Sequence, residues 1–360
     1  MATEITMASS KANHRPIIIA HRGASGYRPE HTLASYELAI RLGTDYIEPD
    51  LVSTKDGVLV ARHENEISET TDVAQHPEFA SRKTTKRIDG RNVTGWFTED
   101  FSLAELKTLR AKERLPDLRP NNTAYDGLYE IPTFAEIIDL VQQYSGKRPS
   151  SMEDSQQLNR EIGIYPETKH PSYFASIAFP LEEPLVAILH KNAYRGRTAK
   201  VFIQSFEVGN LKKLRRMTDL PLVQLMEAHG QPYDFTLAGD PRTYQDMASA
   251  KGLQEIAGYA NAIGPNKDMI IPRNALGQLG APSTLVRNAH AQGLQVHPWT
   301  FRAENHFQPT DFRTGNDPHR FAKLIPGEYQ RFFEIGVDGL FTDHSDAALA
   351  AWMFFKKQKM

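Results

Sequence analysis

"IIIAHRGASGYRPEHTLASYELAIRLGTDYIEPDLV", residues 17–52, reads as strand, loop, helix, strand. Four apolar residues run straight into His21-Arg22-Gly23, and a loop then closes on Pro29-Glu30-His31-Thr32. "TLASYELAIRLG" (32–43) places apolar residues at helical spacing and stops on glycine. "YIEPDLV" (46–52) is the next compact strand. Two short apolar strands joined through a helix must run parallel. A buried strand that ends on histidine and arginine is either surfacing or delivering them into a pocket. Partners elsewhere in the chain decide between the two.

The rhythm continues along the chain. Further strands are predicted at "IGIYPETK" (162–169), "KVFIQSF" (200–206), "PLVQLM" (221–226), "AIGPN" (262–266), "LQVHPW" (294–299) and "GLFTD" (339–343), making eight in all. Helices are predicted between them, among them "TFAEIIDLVQQYSG" (133–146), opened by the capping-box pair Thr133 and Glu136, and "PSTLVRNAHAQG" (282–293). Eight strand–helix units give an α/β fold of the closed (β/α)8 barrel type, a TIM barrel, over residues 17–350. The runner-up, an open doubly wound sheet, has no GxGxxG fingerprint to support it. Residues 65–130 interrupt the rhythm after the second barrel strand and its hairpin-like continuation "GVLVARHE" (57–64). They are polar, with "SLAEL" (102–106) as one capped helix, and are expected as an insertion over one barrel mouth. Residues 228–243 form a smaller insertion.

Composition excludes several classes. The 42 basic and 44 acidic residues leave a net charge of −2, so no general basic field is available for nucleic acid. With no cysteine there is no disulfide framework, thiolate metal site or cysteine nucleophile. Residues 1–16 read as a polar tail without a signal-peptide core, and no segment approaches the ~18 apolar residues of a membrane span.

Barrel enzymes carry their chemistry at the C-terminal ends of the strands. Those ends hold His21 and Arg22, Glu48 and Asp50, His63 on the continuation strand, Glu167 and Lys169, Gln204 and Ser205, His297 and Trp299, and Thr342, Asp343 and His344. Glu48 and Asp50 lie two apart, so both face the barrel interior. Two carboxylates driven inward repel each other, and burial adds to the cost. A divalent cation resolves both, with Glu167 as a third oxygen donor; all-oxygen ligation favours Mg²⁺ or Ca²⁺ over zinc. The competing interpretation is a salt-bridge network with arginines. Two histidines beside such a cation suit proton exchange, and Arg22 and Lys169 suit an anion. Together these groups describe metal-assisted phosphoryl transfer, without identifying the ester.

At these residues the chain resembles the glycerophosphodiester phosphodiesterase family. "HRGASGYRPEHT" is similar to its H-R-G…P-E-N-T opening, "IEPDLVSTKDGVLVARHE" to its E-x-D…D-G…His segment, and "PETKH", "IQSF" and "DGLFTD" to its later motifs. The matches run in order from residue 17 to about 346. The segments "DVAQHPEF" and "FTEDFSLAELKTL" resemble the longer, GlpQ-type bacterial members. The resemblance implies a barrel with an insertion and hydrolysis of glycerophosphodiesters such as glycerophosphocholine to glycerol-3-phosphate and an alcohol. It implies His21 and His63 as the acid–base pair, and Glu48, Asp50 and Glu167 as ligands of one Ca²⁺ or Mg²⁺, Ca²⁺ favoured. Arg22, Lys169, Glu30, Gln204, Phe206 and Trp299 are implied to form the substrate site, Glu30 by orienting His21, Arg22 or a metal-bound water. It implies a periplasmic or secreted location, the alternative being cytoplasmic. The expected partner is the small-molecule substrate alone, with no nucleic acid, no stable membrane insertion, and a monomer or homodimer. The one departure is His31 in place of the family asparagine, expected to donate a hydrogen bond near the phosphate. Gly23 is expected to leave room where the backbone turns close to the anion.

Three rivals stand beside this reading. A phospholipase D or lysophospholipase D acting on lipid phosphodiesters needs an apolar groove, which a polar insertion does not offer. Another metal-dependent barrel enzyme, an aldolase or lyase, has no need of two histidines beside the H-R-G arginine. A ligand-binding barrel without catalysis has no need of two intact histidines and three carboxylates.

Overall fold

The computed structural model describes residues 15–146, 161–321 and 327–359. All but the last two residues of the predicted polar tail lie outside these ranges.

The predicted strands form, several of them shorter than their apolar runs. Strand β1 is Ile17–His21; barrel strand two is β2 (Tyr46–Glu48) and β3 (Asp50–Ser53), broken at Pro49, and β4 (Leu59–Ala61) returns antiparallel beside β3. Barrel strand three is likewise β7 (Gly163–Ile164) and β8 (Glu167–Thr168), broken just before its carboxylate by Pro166. Proline has no N–H for the ladder, so both strands part where they carry the acidic residues. The ring continues through β9 (Ile203–Ser205), β10 (Leu222–Met226), β11 (Ala262–Pro265), β12 (Gln295–Val296) and β13 (Gly339–Thr342). Parallel pairing runs from β13 through β1 and β2 to β7, and from β8 through β9, β10 and β11 to β12. The last gap is closed by backbone bonds: Asp338 N–H donates to Val296 O at 3.0 Å, and Phe341 N–H to Pro298 O at 3.0 Å. The eight strands are therefore a closed (β/α)8 barrel.

Two cores hold it. The barrel interior is plugged by Ile19, Tyr46, Tyr165, Val223, Ala262 and Phe341. A much larger apolar layer lies between strands and helices. The first helix, Leu33–Arg41, is capped by Thr32, whose hydroxyl accepts from Ser35 N–H. Thr133 and Glu136 form the expected reciprocal cap, with Glu136 N–H donating to Thr133 Oγ1 and Thr133 N–H to Glu136. No helix among the described residues is long and apolar enough to cross a membrane.

Residues 65–130 hold more structure than one capped helix. Strands β5 (Thr84–Ile88) and β6 (Arg91–Gly95) form an antiparallel hairpin. Its turn is Asp89-Gly90, both with positive φ (45° and 79°). A two-residue Asp-Gly turn matches strand twist and is a legible hairpin signal; the polar, exposed strands hid it.

Candidate active site

Strand register assembles the site. His21 pairs with Glu48, Asp50 with Glu167, and Glu167 with Gln204. One carboxylate oxygen from each of Glu48, Asp50 and Glu167 lies within 4.8 Å of the others, and all three residues are buried. Burial and then the charges of Asp50 and Glu167 push the Glu48 carboxyl well above its ordinary range. Burial pushes Glu167 up to about 8, with Asp50 adding to the effect against the pull of Lys169. Burial also works against ionising Asp50, but Lys169 and the His31 hydrogen bond outweigh it and hold that carboxyl low. Asp50 Oδ1 is buried without a hydrogen-bond partner. Crowded, mutually repelling carboxylates with an orphaned oxygen fit a hard divalent cation.

His21 Nδ1 lies 2.7 Å from Asp343 Oδ1. Asp343 Oδ2 accepts from Arg119 at 2.6 Å and Arg302 at 2.9 Å. Those guanidiniums hold Asp343 ionised against its burial. An ionised carboxylate only accepts, so the His21 proton sits on Nδ1 and Nε2 carries the lone pair. Burial, then the Arg22 charge, lower the His21 pKa to about 4. In the same cavity His63 Nδ1 bonds Glu64. Burial and the charges of Arg22 and Lys169 lower the His63 pKa to about 3.

The cations are arranged around the triad. Arg22 adopts φ 59°, which turns its amide N–H onto Glu48 Oε2 at 2.8 Å. Its guanidinium lies 3.0 Å from Glu30 and 3.5 Å from Asp50. Lys169 Nζ sits 2.8 Å from Glu167 and 3.9 Å from Asp50. His21, His63, Arg22, Lys169, Gln204, Phe206 and Trp299 line one cavity of about 590 Å³ with the carboxylate triad. Phe206 and Trp299 meet edge to face at 5.8 Å, and Trp299 Nε1 donates to Gly264 O at 2.8 Å, which fixes the indole.

Four expectations change. Glu30 lies behind the cavity, where Arg22 and Arg114 occupy its carboxylate. It therefore orients Arg22, one of the roles expected of it, and is not among the residues that line the cavity. Gln204 lines the cavity, but its amide donates to Glu48 Oε1 at 3.0 Å, so it steadies a carboxylate of the triad. His31 is fully buried between Tyr36 (Nδ1 to Oη 2.7 Å) and Asp50 (Nε2 to Oδ2 2.9 Å). It braces Asp50 from behind and makes no contact at the phosphate end. Burial lowers its pKa against the pull of Asp50. Gly23, at φ 87°, is required by packing: a Cβ there would meet the Ser35 hydroxyl at 2.4 Å and its backbone carbonyl carbon at 2.7 Å.

Residues 21–347 match the model of the "Glycerophosphoryl diester phosphodiesterase family". The chain belongs to that family. A glycerophosphodiester phosphodiesterase of Arabidopsis thaliana is 39% identical over 344 residues, 91% of this chain and 84% of the relative. One from Haemophilus influenzae is 31% identical over 364 residues, covering 95% and 91%. Among solved structures, a putative glycerophosphoryl diester phosphodiesterase from Silicibacter pomeroyi shares the fold with a TM-score of 0.63 at 21% identity, covering 94% of each chain. An Oleispira antarctica phosphodiesterase, solved with the product sn-glycerol-3-phosphate, matches with a TM-score of 0.58 at 19% identity, covering 93% and 96%.

Within this phosphodiesterase barrel, several site residues escaped the sequence. Asp343 stood at a strand end, and the pairing of strands eight and one already placed it beside His21. Glu64 follows His63 directly, yet a neighbour in sequence on a strand normally faces away. Arg114 and Arg119 come from the insertion. Arg114 joins Glu30 (2.7 Å) to Glu64 (2.6 Å), and Arg119 joins Asp343 to Glu304 at 2.6 Å each. No periodicity or spacing marks either arginine. His297, at the end of strand seven, turns into the plug and meets Tyr165 Oη at 2.8 Å.

Proposed function

We propose that the protein hydrolyses glycerophosphodiesters, such as glycerophosphocholine or glycerophosphoethanolamine, to glycerol-3-phosphate and the free alcohol, using two histidines and one divalent cation. The observation that carries this reading is the convergence of two imidazoles, each with its Nδ1 held by a carboxylate, on one cavity that also holds three buried carboxylates. Glu48, Asp50 and Glu167 are the residues that would hold the cation, with Ca²⁺ or Mg²⁺ suited to their oxygen donors. Bound there, it would supply Lewis-acid stabilisation of charge on the phosphoryl oxygens.

The protein's own groups do the rest. Arg22 and Lys169 clamp the anionic phosphate, and Glu30 and Arg114 keep Arg22 in place. Histidines 21 and 63 form the acid–base pair: one, entering unprotonated, takes the proton of the attacking oxygen, and the other, entering as the imidazolium that the substrate's phosphate charge favours, gives its Nε2 proton to the departing one. Low pKa values ensure that the accepting imidazole is unprotonated at neutral pH. Asp343 and Glu64 then stabilise each imidazolium as it forms. Phe206 and Trp299 wall the same cavity. The named relatives support this substrate class.

The test is glycerol-3-phosphate release by His21→Ala and His63→Ala. Each variant is expected to lose at least about 10²–10⁴-fold in kcat with its fold intact. Near-normal turnover in either removes that histidine from the chemistry.

A further inference from the structure

The triad, the two histidines and the phosphate clamp occupy the ends of barrel strands one to three. The ends of strands four to seven form the remaining wall of the cavity, and their character differs. Phe206 follows strand four, Glu227 strand five, Asn266 strand six, and Trp299 lies past strand seven. Backbone bonds lock them side by side: Asn266 N–H donates to Met226 O at 2.7 Å, and Lys267 N–H to Trp299 O at 3.0 Å. A phosphodiester seated at the triad directs one of its two alcohols toward this wall.

Charge pairing singles out one residue there. The cations that line the cavity lie against carboxylates: Arg22 and Lys169 as described, Lys267 on Glu328 at 2.8 Å, Arg273 near Asp268 at 3.5 Å, and Arg302 on Asp343 at 2.9 Å. Glu227 is the reverse. It is exposed to the cavity mouth, accepts a single long bond from Asn266 Nδ2 at 3.4 Å, and has no cationic partner among the described residues. It is the one acidic lining residue outside the triad with no cation against it. The field is felt nearby: burial, then Glu227, Asp234 and Glu207, raise the Tyr244 phenol, whose ring meets Phe206 at 6.3 Å.

Lys169 Nζ already lies 5.8 Å from the Phe206 ring centroid, so that ring sits in a cationic contact. A carboxylate without a counter-charge, sharing a cavity wall with the fixed Trp299 indole and the Phe206 ring, is the recognition chemistry of an organic ammonium group. We propose that Glu227, with Trp299 and Phe206, forms a subsite for a cationic alcohol, so that the enzyme favours diesters with a choline- or ethanolamine-type ammonium over neutral ones. This rests on the hydrolysis assigned above and adds the charge of the leaving group.

The experiment compares kcat/KM on glycerophosphocholine and on glycerophosphoglycerol for the wild type and Glu227→Gln. The choline-to-glycerol ratio should fall about fivefold in the variant, the size expected of an exposed charge pair. The fall should shrink as ionic strength rises. Tetramethylammonium chloride should compete with glycerophosphocholine more weakly in the variant than in the wild type. If both diesters are hydrolysed and the ratio moves less than twofold, the subsite is wrong while the hydrolysis stands. If the wild type hydrolyses neither, the assigned reaction fails and the subsite with it.

Discussion

Replacing Asp343 with asparagine should disable His21 without removing it. Asp343 presents Oδ1 to His21 at 2.7 Å and Oδ2 to two guanidiniums, Arg119 at 2.6 Å and Arg302 at 2.9 Å. Arg119 cannot retreat, because Glu304 and the Ser25 carbonyl hold it at 2.6 and 2.8 Å. The amide NH₂ of an asparagine therefore cannot face the arginines, donor against donor. The amide must place its oxygen there and its N–H toward His21 Nδ1. His21 then carries its proton on Nε2 and cannot accept another. A carboxylate that fixes a catalytic tautomer is worth about 10³–10⁴ in kcat, or roughly 4–5.5 kcal/mol of barrier. Stability should fall less, by about 1–3 kcal/mol, as the Arg119 and Arg302 salt bridges lose their anionic partner and keep only a neutral acceptor. The assay is glycerol-3-phosphate release from pH 5 to 9, with near-UV circular dichroism to establish folding. Because a wrong tautomer does not titrate away, raising the pH should not restore the rate. A folded variant within tenfold of wild type would refute the tautomer argument.

Three further outcomes follow from the same geometry. Arg114→Met should lower kcat/KM on the order of tenfold and reduce urea stability by about 2 kcal/mol, since Glu30 and Glu64 lose their shared partner; unchanged kinetics would mean that Arg114 serves the fold alone. Asp50→Asn should weaken divalent-cation affinity at least about tenfold in calorimetric titration, and equal affinity would remove Asp50 from the ligand set. His297 is fully buried, and burial lowers its pKa from 6.5 to about 4. The unfolded chain binds this proton more readily, so its contribution is complete above pH 6.5 and is lost as pH falls toward about 4. That share is worth about 3 kcal/mol, and His297→Gln should reduce the pH slope of urea unfolding by one proton's worth, leaving the shares of His21 and His63; an unaltered slope would show that His297 contributes none of it.

The barrel and the triad were legible because both depend on local pattern. Compact apolar runs alternating with helices fix the parallel ring, and an E-x-D spacing on a strand fixes a shared face. The positions around the ring then follow from strand order alone. The supporting layer was not legible in the same way. Glu30, Gln204 and His31 sit at positions that look open to substrate, yet each is spent on another site residue. Asp343 lies 322 residues from His21 in sequence and meets it only because the ring closes. Arg114 and Arg119 come from an insertion whose path over the strand ends no periodicity encodes. The hairpin at 84–95 carried its Asp-Gly signal but lacked an apolar face to make the strands visible.

The most direct test is release of glycerol-3-phosphate from glycerophosphocholine by the purified chain, first with EDTA and then with Ca²⁺ or Mg²⁺ restored. The account predicts that release stops with EDTA and returns with one of the two ions. Full release in EDTA would contradict the role given to Glu48, Asp50 and Glu167, and no release with either ion would contradict the proposed reaction.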